Sequence, residues 1–329
     1  MKKLFFFISA IWMAAMFVGC DSQSTGTATG PSPKKLRIAV VGGIPGEYWS
    51  NVKLGCGHGV RGLGDVDLDF RFPASRTPEA QQQLLNELVA GGVDGIAISP
   101  IDADKETDFL NQIAAKTLLV CVNSDAEKSK RACYIGTDNV AAGGKAAELL
   151  QAALPQGGKI ILFVGYPNAQ STKDRVQGIQ NGLAGSNIQI LDTLADGTES
   201  AVAQKNAQDA LTKHTDLAGM VGIYGYHGSA LLTAVRGVGK TGQVKIVCFD
   251  DESDTLAGIA AGEIFGTVVQ KPVEIGFQTV VRMDKYLRGD QPQLAAGKIL
   301  LPSLSLTKEN LAAFQFNRNF FLNYPDAQK

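Results

Sequence analysis

From Leu36 onward the chain alternates short runs rich in apolar residues with amphipathic stretches. The runs are LRIAVVGG, DLDFRF, DGIAISP, TLLVCVNS, YIGTDN, KIILFVGY, IQILDTLAD, GMVGIYGY, KIVCFDD, FGTVVQK and KILLPSL. A near-continuous apolar strand is buried on both faces, as in parallel sheets whose right-handed crossovers lay helices over each face in turn. The alternation therefore predicts an α/β fold, with helices over 78–90, 103–115, 140–154, 172–183, 201–211 and 272–287. Thr77 ahead of Pro78 and Asp138 ahead of an Ala-rich stretch are the side chains that cap helix N-termini. About ten strands exceed what one common sheet holds, and 329 residues suit about two domains. Two doubly wound parallel-sheet lobes are expected, with a ligand cleft beyond the carboxyl ends of the strands.

The first 35 residues lack this pattern. Lys2 and Lys3 precede an apolar stretch at 4–18, shorter than the ~20 residues a spanning helix needs, so residues 1–19 read as a signal peptide. Phe17-Val18-Gly19-Cys20 resembles the lipobox of bacterial lipoproteins, with Phe17 in place of the usual Leu. Lipidation of Cys20 is expected, with ordinary cleavage as the alternative; residues 20–35, rich in Ser, Thr, Gly and Pro, form a flexible tether. The protein is therefore expected to be exported and held at a membrane through a lipid anchor only.

Charge narrows the partner. Lys and Arg number 31 against 32 Asp and Glu, a formal net charge of −1, so there is no basic field to hold nucleic acid. Cys56, Cys121, Cys133 and Cys248 have no metal-like spacing. Cys121 and Cys133 are either oxidised together or buried as thiols. Cys56 and His58, two residues apart in an apparent helix, do not face one ion, so no metal and no cofactor is expected.

The residues after each strand suit a polyhydroxylated ligand. Tyr48 and Trp49 stand after the first strand, as plates for the C–H face of a sugar or as caps on the core. The other strand ends carry Ser99 and Asp102, Asn123-Ser124-Asp125, Thr137-Asp138-Asn139, Asn168 and Arg175, Tyr226-His227, Asp250 and Gln270. Planar, multivalent groups of this kind match the hydroxyl rim of a pyranose or furanose. Asp102 and Asp138 serve equally as helix caps.

The segments VDGIAISPIDAD, CVNSDAEKSKRACYIGTDNVAAGGKAAELL, DRVQGI, IVCFDD and GTVVQKPVEIG, in that order, resemble the periplasmic sugar-binding proteins of ABC transporters, of the ribose-binding type, which are related to the effector domains of LacI-like repressors. The resemblance implies the type I periplasmic binding protein fold, with residues 36–138 plus 271–301 in one lobe and 139–270 plus 302–329 in the other. It implies a three-segment hinge near Thr137-Asp138, Gln270-Lys271 and Leu301-Pro302. Tyr48 and Trp49 would flank a monosaccharide, a ribose-like pentose or a hexose, while Asp250 and Gln270 contact its hydroxyls. Asn123, Ser124, Thr137, Asn139, Arg175, Tyr226 and His227 would complete the site, with Lys173 the alternative to Arg175. Gly46-Glu47, Asn123-Ser124 and Tyr226-His227 depart from the family's usual Asn-Pro, Asp-Arg and Asn-Asp, which leaves the sugar open. The implied partner is a permease, and the implied state is a monomer.

Two other functions compete. A sensor would present the sugar to a membrane receptor or kinase. An exported enzyme has less support, since no G-x-S-x-G, H-E-x-x-H or G-x-x-x-x-G-K-[ST] motif is present. The tail beyond Phe314, with Phe316, Phe320, Phe321 and Tyr324, is expected to pack on a lobe.

Overall fold

The structure, a computed structural model, describes residues 34–322, with side chains as far as Phe316. The signal peptide, Cys20, the tether up to residue 33 and the side chains of Phe320, Phe321 and Tyr324 lie outside the described residues.

The chain builds two six-stranded sheets of matching order. In the first, β1 (Leu36–Val41), β2 (Val66–Arg71), β3 (Gly95–Ile98), β4 (Leu118–Val122), β5 (Cys133–Thr137) and β11 (Lys298–Leu301) are arranged β2-β1-β3-β4-β5-β11. In the second, β6 (Gly158–Val164), β7 (Ile188–Ala195), β8 (Leu217–Gly222), β9 (Lys245–Phe249), β10 (Gly266–Val269) and β12 (Leu304–Thr307) are arranged β7-β6-β8-β9-β10-β12. Each sheet is covered on both faces. Ile38 and Val40 enter one apolar cluster while Ala39 and Val41 enter another, and Ile160 and Leu162 likewise part from Ile161 and Phe163. Side chains alternate across a strand, so a run apolar throughout requires this double cover.

One pairing departs from the all-parallel expectation. The last apolar run, read as a single strand, is two: β11 runs parallel to β5, and β12 runs antiparallel to β10. Pro302 and Ser303 separate them. A strand arriving at the cleft in one lobe must leave it in the other, which reverses its direction.

The helices are α1 (Glu47–Arg61), α2 (Pro78–Ala90), α3 (Ala103–Ala114), α4 (Asn139–Ala153), α5 (Gln170–Leu183), α6 (Ser200–Lys213), α7 (His227–Gly237), α8 (Ser253–Ala261), α9 (Pro272–Leu287) and α10 (Leu311–Leu322). Tyr48 and Trp49 stand in the first turn of α1 rather than at a loop tip. Two helices change lobes. α4 follows β5 but packs against α5, β9 and β10, and α9 follows β10 but packs against α1, β1 and β5. Each exchange rests on a glycine pair. A Cβ on Gly55 would lie 1.9 Å from the Val273 carbonyl oxygen and one on Gly276 2.0 Å from that of Val52. On Gly143 and Gly178 the corresponding distances, to Arg175 and Val140, are 2.2 and 2.1 Å. Only glycine lets backbones approach this closely.

At the C-terminus, Leu311 is buried and Phe314 packs on the second lobe's core. Phe316, expected to pack, is 75% exposed because it falls on the outer face of α10. Cys56, Cys121, Cys133 and Cys248 are buried free thiols, so the pairing of Cys121 with Cys133 is not made. Burial pushes the thiols of Cys56 and Cys248 up to about 12.

Candidate functional site

The carboxyl ends of both sheets meet at a cleft holding about 700 Å³ of empty space, its open mouth included. Two residues in corresponding places shape it. Asn123 after β4 and Asp250 after β9 have φ of 64° and 68°, a left-handed conformation that side chains larger than glycine rarely adopt. Each turn costs on the order of 1–3 kcal/mol, and both line the cleft.

The first lobe contributes Tyr48, Trp49, Ser99, Ile101, Asn123 and Ser124 to the walls. Trp49 is 5% exposed and packs edge-on to Phe70 and Phe72, with ring centroids 6.4 and 6.5 Å away. It is thus largely a core residue with one margin on the cleft. Tyr48 stands edge-on to Trp49 at 5.5 Å, and its buried hydroxyl has no hydrogen-bond partner among the described residues. Burial, and then the Asp250 carboxylate, keep that phenol neutral well above its ordinary range.

The second lobe supplies Arg175 from α5, Tyr226 from the β8–α7 turn, Asp250 and Gln270. Arg175 is 4% exposed; its Nε donates to Asn139 Oδ1 at 2.8 Å, one terminal N–H donates to the Ile223 carbonyl at 2.6 Å, and its guanidinium lies 4.6 Å over Phe249. Gln270 Nε2 donates to Asp250 Oδ1 at 2.7 Å while Gln270 Oε1 accepts from Thr137 Oγ1 at 2.7 Å. Burial pushes Asp250 up to about 6, against the opposing pull of Arg175 and the Gln270 hydrogen bond.

Eight of the eleven residues expected to touch a ligand therefore line the cleft: Tyr48, Trp49, Asn123, Ser124, Arg175, Tyr226, Asp250 and Gln270. Thr137, Asn139 and His227 do not. Thr137 and Asn139 lie at the crossing from β5 to α4, where Asn139 Nδ2 donates to Tyr134 Oη at 3.1 Å and Asn139 Oδ1 holds Arg175. His227, expected to face the cleft, is wholly buried behind Tyr226. Its Nδ1 accepts from the Tyr224 N–H at 3.0 Å, which places the proton on Nε2, 2.7 Å from Asp196 Oδ2. Asp196 also accepts from the Tyr226 hydroxyl and the Thr198 N–H, so its buried charge is well satisfied. Burial lowers the His227 pKa, and the ring stays neutral.

Sequence reasoning missed Tyr166, Ser171, Tyr224 and Glu252. Tyr166 ends the run KIILFVGY and Tyr224 lies within GMVGIYGY, where each passes for an apolar residue near the end of a strand. Glu252 follows a pair of aspartates and carries no pattern of its own.

The rim is drawn together by contacts between lobes. Asn168 donates to Asp102 at 3.0 Å, Lys173 pairs with Asp104 at 2.8 Å, and Arg76 reaches both the Thr198 carbonyl at 2.7 Å and Glu199 at 2.6 Å. Ser253 donates to Glu47 at 3.2 Å. Asp102 and Asp138 cap α3 and α4, the second of the two roles open to them in the sequence. Among the described residues no group of three or more His, Cys, Asp or Glu is placed to hold a metal ion, and no helix is long and apolar enough to cross a membrane.

A family model described as a periplasmic binding protein domain matches residues 38–291, which takes in the whole cleft. The chain belongs to that family. Among curated periplasmic binding proteins, it is 24% identical over 301 residues to the ribose import binding protein of Salmonella typhimurium, covering 89% of this chain and 95% of the relative. It is 23% identical over 309 residues to the fructose import binding protein of Bifidobacterium longum, covering 88% and 90%. A solute-binding protein of an ABC transporter from Burkholderia graminis, solved in complex with D-arabinose, superposes with a TM-score of 0.80 at 26% identity, covering 85% of this chain and 98% of that one. These matches, the two sheets of matching order and the two helices that change lobes bear out the type I periplasmic binding protein fold expected from the sequence.

Proposed function

We propose that this protein captures a monosaccharide, a pentose or hexose, between its two lobes and delivers it to the permease of an ABC importer. One observation carries the reading: the hydrogen-bond chain from Asp250 through Gln270 to Thr137 joins a cleft carboxylate to two of the chain crossings between lobes. A ligand hydroxyl bonded to Asp250 thereby acts on the segments that set the angle between lobes. The walls support the same ligand class, with aromatic edges for a C–H face and Arg175, Asn123 and Asp250 for hydroxyls of either hydrogen-bonding sense.

The two lobes act as rigid bodies. A ligand that bonds to both walls binds the closed arrangement better than the open one and draws the equilibrium toward it. The closed face is then what the permease recognises, while a lipid on Cys20 keeps the monomer beside the membrane. Binding rather than catalysis is favoured by the placement of the reactive groups, since the described cysteines and His227 are all buried away from the cleft. Calorimetric titration with a panel of pentoses and hexoses tests the proposal: one or a few stereoisomers bind with one site per chain, and heat from none of them contradicts it.

A further inference from the structure

The charged residues that line the cleft are Arg175, Asp250 and Glu252. Arg175 and Asp250 act on each other, the guanidinium favouring the carboxylate. Glu252 is left over. Its carboxylate forms no ion pair and no side-chain hydrogen bond among the described residues. Burial, and then the neighbouring acidic groups Asp250, Glu47, Asp251 and Asp254, oppose its ionisation and raise its pKa to about 7.

The position of that carboxylate is specific. A Cβ on Gly225 would fall 2.6 Å from Glu252 Oε1, so the carboxylate rests against the Tyr224-Gly225-Tyr226 turn in space that only glycine leaves. The rings of Tyr224 and Tyr226, 6.0 Å apart, are on the same wall. Tyr48, whose buried hydroxyl is without a partner among the described residues, faces the same cleft from the other lobe. An unpaired carboxylate on a wall that also carries tyrosine rings attracts a cation twice, through its charge and through the negative faces of the rings. A neutral hydroxyl uses neither fully. Among the described residues no group of three or more His, Cys, Asp or Glu that could hold a metal ion includes Glu252, and the cation a sugar brings to such a wall is an ammonium group.

We infer that the sugar taken by this cleft carries a protonated amine, an amino sugar or amino polyol, whose ammonium group is held by Glu252 against the Tyr224 and Tyr226 rings. This rests on the sugar-binding reading above and narrows it.

The test compares, on the full mature chain at neutral pH, the affinity for neutral hexoses, their amino-deoxy counterparts and the N-acetylated forms of those amines. Acetylation keeps the ring and removes the charge. At least one amine binds tenfold or more tighter than its neutral parent, and its acetylated form loses that advantage. In Glu252→Gln the ratio of amine to parent affinity falls toward one; because the comparison is a ratio, a change in overall affinity does not disturb it. Neutral hexoses that bind while every amine binds equally or more weakly overturn this inference and leave the sugar reading intact. No binding by any of these compounds removes both.

Discussion

Thr137 and Gln270 stand on two separate crossings between the lobes, 133 positions apart in the chain, and share a hydrogen bond of 2.7 Å that is buried at the back of the cleft. Gln270 passes this constraint to Asp250 through its amide nitrogen. The ligand wall and the hinge are thereby one hydrogen-bonded unit.

Replacing Thr137 by Val keeps the shape and removes the donor, leaving Gln270 Oε1 buried and unpaired at a cost of about 1–3 kcal/mol. Ligand affinity falls by roughly five- to 150-fold when all of that cost falls on the closed form. Calorimetry on the variant measures it, and affinity equal to that of the parent protein separates the hinge from the site.

Asp250 makes binding pH-dependent with a definite sign. Its folded pKa, about 6, lies above the ordinary carboxylate value, so ionising it in the empty cleft is costly and its contribution to the empty protein's stability fades as pH rises through about 6. The ligand's hydroxyls bond the ionised form. For a neutral sugar, affinity is therefore flat above about 6 and declines as pH falls below it, by up to about tenfold per pH unit. Titrations at several pH values check this, and in Asp250→Asn the dependence disappears.

Gly143→Ala and Gly178→Ala press a Cβ to within 2.2 and 2.1 Å of backbone oxygens across the α4–α5 contact. Neither oxygen swings away as a side-chain tip would, so the helices must separate, at about 1–3 kcal/mol or more. Arg175 rides on α5 and bonds to Asn139 on α4, so affinity falls together with the thermal midpoint. By contrast Gly144→Ala, where a Cβ meets nothing within 4 Å, leaves affinity unchanged and raises the thermal midpoint slightly, because alanine is the better helix former by about 0.5–1 kcal/mol.

The strands and their order of use were legible because burial on both faces writes a continuous apolar run. Asp250, Gln270 and Arg175 were legible as polar residues placed just beyond such runs or early in the following helix. What was not legible depends on side-chain direction. His227 follows Tyr226 directly, yet one faces the cleft and the other turns inward to Asp196, a residue 31 positions earlier. Thr137 and Asn139 carry the polar character of ligand contacts, but the chain crosses lobes at that point and bends them into the hinge. Tyr166 and Tyr224 were hidden because a tyrosine fits the end of a strand as well as the wall of a site.

His227→Ala separates the structural role from a ligand-contacting one. It leaves the buried Asp196 carboxylate without one of its donors, costing on the order of 2–3 kcal/mol, and frees the Tyr224 N–H. The thermal midpoint falls accordingly. In the parent protein the lowered His227 pKa means that the unfolded chain binds the extra proton first, so this group's contribution to stability is complete above its ordinary value of 6.5 and is lost as pH drops below it. Denaturation followed against pH shows that loss in the parent and not in the variant.

The central claim is that a sugar closes this cleft through Asp250. Titration calorimetry of the mature chain and of Asp250→Ala, with the same panel of neutral and amino sugars, tests it most directly. The account predicts one-site binding of a stereospecific ligand to the parent protein, weakened a hundredfold or more by the substitution. Equal affinity in the two proteins, or no binding to the parent by any sugar in the panel, contradicts it.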